Sequence, residues 1–368
     1  TALRHWEQAA NIFRQLRNHV KTSEIYLFVC DVHLHRHEFT KAAQLQNEGM
    51  SWMMLAGDYA LEDKILDVSF KLNKLSGDTE AALETLERKM ELHKKAGNKL
   101  AQARTQMQYA GVCIDLADFD KSLDLLHQAL PHAQALGDPL LEADILVQLG
   151  SIHFYRSQWE EAATYFDLSL HRYKEIKNLS GEAFSLLHLA KTGIEKNDYE
   201  KAMELLKKSG SVFSLLRDER AKAIVDTNKA RVYAAQGRYW RAGRLLKKGF
   251  STLTRINDKT GMAEVCLQQA EIARKRNKTG PLYKYAHQAF ELYEEQQHQY
   301  GIFRAGWLIG AFHCEKRYNA ETIQIGLRHL HRCVAIGTKA GLDETKKIQR
   351  IIQMTEGQTR PANKSYQS

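Results

Sequence analysis

Proline is scarce in this sequence, with 4 residues among 368, and no long stretch of alternating β-branched residues is present. The longest apolar runs, such as 25–30, are far shorter than the roughly 18 residues that a membrane-spanning helix needs. Proline interrupts helices, whereas the abundant Ala, Leu, Glu, Lys, Gln and Arg favour them. The composition therefore predicts a chain that is helical almost from end to end.

Cysteine pairs are also lacking. The 5 cysteines form no C-x-x-C pair, and their number is odd. This usage favours free thiols in a reducing compartment over a disulfide framework. The first residues are polar and form no secretory segment. We therefore expect a soluble, cytoplasmic protein.

An internal repeat of forty residues runs through the chain. Four segments begin with an aromatic residue at positions 119, 159, 199 and 239, and three of them have Ala three positions later. Small residues recur with the same step at the positions listed next. They are Cys30, Ala110, Gly150, Ala190, Ala230, Ala270 and Gly310. Asp or Asn recurs between units from Asp58 to Asp258, where its side chain can cap the following helix. Three markers in register predict eight units of two helices each.

The best copy predicts helix A from about Pro139 to Arg156 and helix B from about Trp159 to Ile176. Leu149-Gly150, Ala162, Phe166 and Ser169 resemble the Leu-Gly, Ala, Phe and Ala positions of the tetratricopeptide repeat. The family's unit has 34 residues, so the longer unit here is similar to Pins-type adaptors, kinesin light chains, MalT-like regulators and Rap-type sensors. The resemblance implies a right-handed α-solenoid, a superhelix of about eight repeats.

The repeats divide the chain as follows. Residues 1–18 read as a lone helix B, either the remainder of a preceding repeat or an N-terminal cap, and 19–338 hold the eight repeats. Residues 342–355 form an amphipathic capping helix, and 356–368 are polar and expected to be disordered. A helix B without its helix A leaves an apolar seam uncovered. We therefore interpret Thr1 as the cut edge of a larger protein.

The motifs of common enzyme classes are lacking. No Gly-Lys dipeptide, GxSxG, HExxH or GxGxxG occurs. His33 and His37 form an i, i+4 pair, but no third ligand lies at a suitable spacing. We expect no enzyme activity, no metal and no cofactor.

The resemblance implies a concave groove lined by the A helices. Positions two before the small marker carry an amide or imidazole in five consecutive units, at Gln108, Gln148, His188, Asn228 and Gln268. Such a row can bind the backbone of an extended peptide, because side-chain amides both donate and accept. Gln is equally a good helix former on a wet surface. The other groove candidates are Arg104, Lys191, Arg231, Arg274, Arg304 and Trp307.

The predicted concave groove indicates a binding function. The family's chaperone clamp needs Lys five residues into helix A, and no Lys occurs in that column. We therefore expect a non-enzymatic scaffold that captures a protein or peptide segment. The alternative is the ligand-sensing arm of a larger signalling or transcription regulator, such as a MalT-like or other nucleotide-switch protein.

Charge is uneven along the chain. Residues 201–280 contain 19 Lys and Arg against 7 Asp and Glu, whereas the whole chain has a net charge of +9. The basic surface patch consists of Arg238, Arg241, Arg244, Lys247, Lys248 and Arg276. It is either a solvated face or a surface for an acidic protein. Nucleic acid is a weaker hypothesis, because no element beside this stripe can reach base edges.

Overall fold

The computed structural model describes residues 2–36, 38–316 and 320–359, and within these ranges it contains 18 α-helices and no strand. Eight helices occupy the A position: α2 (His19–His35), α4 (Tyr59–Ser76), α6 (Lys99–Asp115), α8 (Pro139–Tyr155), α10 (Leu179–Glu195), α12 (Glu219–Ala235), α14 (Lys259–Lys275) and α16 (Gln299–Lys316). Eight occupy the B position: α3 (Phe39–Ala56), α5 (Thr79–Lys95), α7 (Phe119–Ala135), α9 (Trp159–Glu175), α11 (Tyr199–Leu215), α13 (Tyr239–Arg255), α15 (Thr279–Glu295) and α17 (Ala320–Ala340). The predicted all-α solenoid is confirmed.

Helix boundaries follow the markers between the units. The side chains of Asp58, Asn98, Asp138, Asn178, Asp218 and Asp258 each accept a hydrogen bond from the backbone N–H three residues later. At the next boundary His298 takes the same role, since its Nδ1 accepts from the Gly301 N–H at 2.9 Å. These bonds satisfy N–H groups that a helix start leaves free. The predicted capping is therefore confirmed.

Small residues allow neighbouring helices of the repeats to approach closely. A methyl group placed on Gly150 would lie 2.6 Å from Cε1 of Phe166, which is completely buried. At Gly181 the same methyl would lie 2.2 Å from Cδ1 of Tyr173 on the preceding B helix. At Gly150 and Gly181 an aromatic ring thus fills the space above bare backbone.

The chain divides into two compact units, residues 1–112 and 113–368. In the first unit, α1 (Ala2–Gln15) lies within the predicted 1–18 helix, and Ala10 packs with Ile25 and Val29 of α2. The buried ammonium of Lys89 lies 3.3 Å from Oδ1 of Asp63. No described helix is long and apolar enough to cross a bilayer.

The second unit closes on itself. The ring centroids of Tyr155, at the end of α8, and Tyr300, in the first turn of α16, lie 4.4 Å apart. Beside them, Nε of Arg156 donates to the carbonyl oxygen of Ala340 at 3.1 Å. Lys339 of α17 also lies 3.4 Å from Asp118, at the start of α7. Helices from the first and last repeats of this unit therefore meet.

The final helix, α18 (Glu344–Thr359), begins two residues after the predicted 342–355 helix and continues beyond it. The disordered tail predicted from residue 356 is wrong for 356–359, which are helical. Two contacts explain the extension, because Thr355 is buried and the Glu356 carboxylate lies 3.1 Å from His331 Nε2. Residues 360–368 lie outside the described ranges.

Candidate functional site

A cavity of about 440 Å³ lies inside the second unit. The A-position helices α8, α10, α12, α14 and α16 supply most of its wall, and Glu344 of α18 closes one side. Six of the predicted groove residues line it: Lys191, Asn228, Arg231, Arg274, Arg304 and Trp307. The A helices therefore form the lining, as expected for the concave side of such a unit.

Glu264 is the acceptor at the centre of the cavity's charge network. Its carboxylate accepts from Nη1 of Arg304 at 3.0 Å and from the Tyr293 hydroxyl at 3.0 Å. Nη2 of Arg304 donates to Glu271 at 3.1 Å. Burial alone would raise the pKa of Glu264, but the charges of Arg304, Arg231 and Lys191 lower it to about 2. The carboxylate therefore stays ionised at neutral pH.

Lys191 differs from Arg220, Arg231 and Arg304 of the cavity, each of which pairs with a carboxylate. Among the described residues no carboxylate lies within 4.0 Å of its ammonium, which instead sits 5.6 Å from the centroid of the Phe154 ring. Burial lowers the pKa of Lys191, and Glu264 partly offsets that effect. Arg231, by contrast, pairs with Glu195 and also donates to Asn228. An ammonium held in a cavity without a direct counter-ion can bind an anionic group of a ligand.

Aromatic side chains form the apolar wall of the cavity. Phe154 packs edge-on against Trp159, with ring centroids 5.2 Å apart, and Tyr155 and Tyr300 continue this wall. On another side, the Lys347 ammonium lies 5.8 Å from the Trp307 ring centroid. The cavity thus combines apolar faces with a few fixed charges, which is typical of sites that bind small ligands or peptides.

Three of the five residues predicted to form the amide and imidazole row make contacts within the chain. Asn228 is buried and donates to the Ile224 carbonyl at 2.9 Å, and buried Gln268 donates to Glu264 at 2.9 Å. His188 stacks on Phe166 with ring centroids 4.7 Å apart, and burial lowers its pKa to about 3. The row of Gln108, Gln148, His188, Asn228 and Gln268 as a peptide-binding ladder stays a prediction.

The remaining groove candidates lie elsewhere. Gln148 of α8 is half-buried, and its Oε1 has no hydrogen-bond partner. Gln108 and Arg104 belong to α6 in the first unit, and Arg104 is exposed. His33 contacts Glu38 at 2.8 Å, whereas His37 lies outside the described residues. Over the ranges that the structure describes, no three His, Cys, Asp or Glu side chains are arranged to hold a metal ion.

The repeat period alone did not identify Tyr300 and Glu344, which complete the wall of the cavity. Tyr300, Thr260 and Arg220 line the cavity from one column at the start of the A helices, which sequence reasoning did not use. Glu344 comes from outside the repeats. A search of all A-helix columns for aromatic residues would have found Tyr300, but no sequence signal pairs it with Tyr155.

The six residues predicted to form the basic surface patch are all exposed. Arg238, Arg241, Arg244, Lys247 and Lys248 lie at the start and on the exposed side of α13, and Arg276 caps the end of α14. Trp240, of which 74% is exposed, lies among them, with the Arg244 guanidinium 5.4 Å from the centroid of its ring. None of these residues lines the cavity.

No protein-family model matches the sequence, and no curated protein does. Among solved structures, the chain is similar to the apo form of RapI, with 15% identity, a TM-score of 0.63, and coverage of 74% of this chain and 98% of that chain. It is similar to NprR in complex with its cognate peptide NprX, with 12% identity, a TM-score of 0.60, and coverage of 91% and 98%. It is also similar to the Rap conjugation gene regulator of plasmid pLS20 in complex with the Phr* peptide, with 14% identity, a TM-score of 0.59, and coverage of 89% and 98%. These likenesses confirm that the fold is a helical repeat solenoid of the tetratricopeptide type.

Proposed function

We propose that this chain is a non-enzymatic binding module that captures a short peptide or an extended protein segment in the cavity of its second unit. The observation that carries the proposal is Lys191, whose ammonium faces a cavity of about 440 Å³ with no carboxylate of the described residues within 4.0 Å. A peptide carboxylate at this point would supply the missing counter-ion.

Several features support a peptide over a small metabolite. The cavity offers an aromatic wall at Phe154 and Trp159 and cations at Lys191, Arg231 and Arg274, so it can contact side chains of different chemistry along one segment. Two of the similar solved structures hold peptides, NprX on NprR and Phr* on the plasmid regulator. The half-buried Gln148 remains a groove candidate for a longer segment.

The test uses a display library of random short peptides. Enriched peptides are measured by calorimetry against the wild type, the Lys191→Met variant and the control variant Lys196→Met. Lys196 caps the end of the same helix, but its ammonium pairs with Glu160 at 2.8 Å. We expect about tenfold weaker binding for Lys191→Met and no change for Lys196→Met. Failure to enrich any peptide, or equal affinity for all three proteins, would contradict the proposal.

Peptide capture suits either a free-standing adaptor or the sensor arm of a larger regulator, and the sequence of the complete gene distinguishes them. All 5 cysteines are buried free thiols, which supports a reducing, cytoplasmic compartment. We further propose that the basic surface patch meets an acidic protein and not nucleic acid, since its cations surround an apolar surface and not a groove-reading element.

A further inference from the structure

A second cavity, of about 480 Å³, opens on the outside of the second unit between α13, α14 and α15. Its floor is apolar and is formed by Leu246, Ile272, Ala273 and Pro281. Tyr239 and Tyr285 form its sides. We refer to it as the outer pocket. It lies apart from the peptide cavity, since no residue lines both.

The outer pocket exists because one repeat position holds glycine. A methyl group placed on Gly243 would meet no atom within 4 Å. The same position holds larger residues in other repeats: Ala43, Leu83, Leu123, Ala163, Met203 and Tyr283. Gly in the middle of a helix costs stability. Its occurrence here leaves room for a side chain from another molecule.

The cations around the outer pocket lack the ion pairs that other repeats form. Arg156 and Lys196 pair with carboxylates 36 residues earlier, Asp120 and Glu160, each at 2.8 Å. The residue 36 positions before Arg276 is Trp240, and the Arg276 guanidinium instead sits 5.5 Å from the centroid of the Tyr239 ring.

The neighbouring cations show the same lack of partners. Within the described ranges, the ions listed next have no carboxylate within 4.0 Å. They are Lys247, Arg276 and Lys278, which line the outer pocket. Lys248 and Arg241 face α12 instead, since the Lys248 ammonium lies 3.8 Å from Asp226 and the Arg241 guanidinium lies 6.0 Å from the centroid of the Tyr233 ring. The outer pocket therefore has three cations with unused pairing capacity beside its apolar floor.

We propose that the outer pocket receives one large apolar side chain, Phe or Leu, from an acidic protein segment whose carboxylates pair with the surrounding cations. The proposal rests on the acidic-partner proposal above for the sign of the charge, and adds the anchor and its position. A phosphate backbone would satisfy the cations but has no apolar group to fill the outer pocket. Hot spots of protein interfaces commonly combine a buried apolar anchor with flanking charge pairs.

Two synthetic peptides provide the probe. In the anchor peptide a central phenylalanine is flanked by glutamates, and in the matched peptide serine replaces the phenylalanine. Fluorescence anisotropy gives the affinity of each for the full chain. We expect the anchor peptide to bind about tenfold more tightly than the serine peptide, because only the phenylalanine is buried.

Variants of the chain test whether the peptide binds at the outer pocket. Gly243→Leu fills the outer pocket from within, so it should remove the advantage of phenylalanine and leave serine-peptide binding unchanged. The triple reversal Lys247→Glu, Arg276→Glu and Lys278→Glu should abolish binding of both peptides. A charge-matched control, Lys201→Glu, Lys207→Glu and Lys222→Glu, reverses exposed cations outside this surface and should retain binding. Circular dichroism checks that each variant is folded.

The outcomes separate the two proposals. Equal affinity for both peptides, or an unchanged preference in Gly243→Leu, overturns the anchor but leaves an acidic partner. No binding of either peptide, or loss of binding in the control triple, overturns both. Tighter binding of single-stranded oligodeoxythymidine or of phosphatidylserine vesicles, lost in the triple reversal, overturns both in favour of that ligand. Lys191→Met leaves peptide binding at this surface unchanged in every case, so failure of the cavity proposal is distinguishable.

Discussion

Arg156 and Ala340 lie 184 residues apart in the chain, yet Nε of the arginine donates a 3.1 Å hydrogen bond to the carbonyl oxygen of the alanine. The same guanidinium lies 2.8 Å from Asp120 and covers the Phe119 ring. Gly341, with a left-handed φ of +66°, leaves room for it. This contact joins the first and last repeats of the second unit and closes the cavity.

Replacing Arg156 with alanine should open this closure. We expect a loss of about 1–3 kcal/mol in the free energy of unfolding, because a charge-assisted bond to a partly buried carbonyl is removed. Ligand binding in the cavity should weaken as well, since Tyr155 and Tyr300 lose the neighbour that holds their helices together. Urea denaturation gives the first quantity and calorimetry the second. Lys208→Ala is the control, because this lysine pairs only with Glu204 one turn away among the described residues, and a similar loss in both variants would contradict the role of the closure.

Gly150→Ala should be clearly destabilising, by about 1–3 kcal/mol, because its methyl would overlap the Phe166 ring at 2.6 Å. Gly243→Ala makes the same chemical change where no atom lies within 4 Å. There the better helix propensity of alanine should stabilise the chain by about 0.5–1 kcal/mol. Opposite shifts of the urea midpoint are expected, whereas shifts of the same sign would show that the repeat glycines do not serve close packing.

The turns between helices contain a residue with left-handed backbone at the same position of successive repeats. Gly137 (φ +66°) holds this position in one repeat and Lys177 (φ +55°) in the next. Lys177→Gly should stabilise the chain by about 0.5 kcal/mol, because the strain of an L-residue at positive φ exceeds the entropy cost of glycine. Gly137→Ala should destabilise it by about 1 kcal/mol. Thermal unfolding of the two variants measures both effects, and a stabilised Gly137→Ala would refute this account.

Three histidines pack together on α15, α16 and α17. The ring centroids of His287 and His329 lie 5.9 Å apart, and within the part of the chain that the structure describes both ring nitrogens of buried His313 have no hydrogen-bond partner. Burial lowers the pKa of all three, that of His329 to about 4 with further lowering by His287, His313 and Arg332 and an opposing effect of Glu294. Glu291 likewise opposes the shift at His287.

Because these folded-state pKa values lie below the unfolded value of about 6.5, the unfolded chain binds more protons in acid. Stability should be complete above pH 6.5 and fall progressively as the pH drops towards about 4. His329→Gln should flatten this fall, and the exposed His127→Gln should leave it unchanged. Urea midpoints across this pH range test the prediction, and parallel curves for wild type and His329→Gln would exclude the cluster as the cause.

The repeated structure was predictable because it depends on local rules that recur every forty residues. The residues at Gly150, Ala162 and Phe166 pack within one unit, and Asp138 caps the helix that follows it, so both signals lie within one repeat of sequence. The predicted helices 139–156 and 159–176 agree with α8 (Pro139–Tyr155) and α9 (Trp159–Glu175) to one residue at their ends. Because each repeat packs only against its neighbours, the period alone is sufficient to predict such a fold.

The candidate site was predictable only in part. Arg231 and Arg304 are on the cavity wall where the columns predicted, but their partners Glu195 and Glu264 neutralise them through contacts between repeats. Asn228 fits the predicted column, but its position is buried and its amide bonds within the chain. Its Nδ2 donates to the Ile224 carbonyl and its Oδ1 accepts from Arg231. The sequence column gives the side of the helix and cannot give the depth of burial, which depends on the neighbouring helices.

Sequence by itself determined the all-α composition, the forty-residue unit, the capped boundaries and the concentration of charge in 201–280. Only the tertiary structure decided that Tyr155 meets Tyr300, that Arg156 reaches Ala340 and that Lys191 is left without a direct counter-ion. The reason is physical. Local signals fix each helix and its nearest neighbour, whereas closure depends on small rotations between successive repeats that add up over the whole unit, and no single repeat encodes their sum.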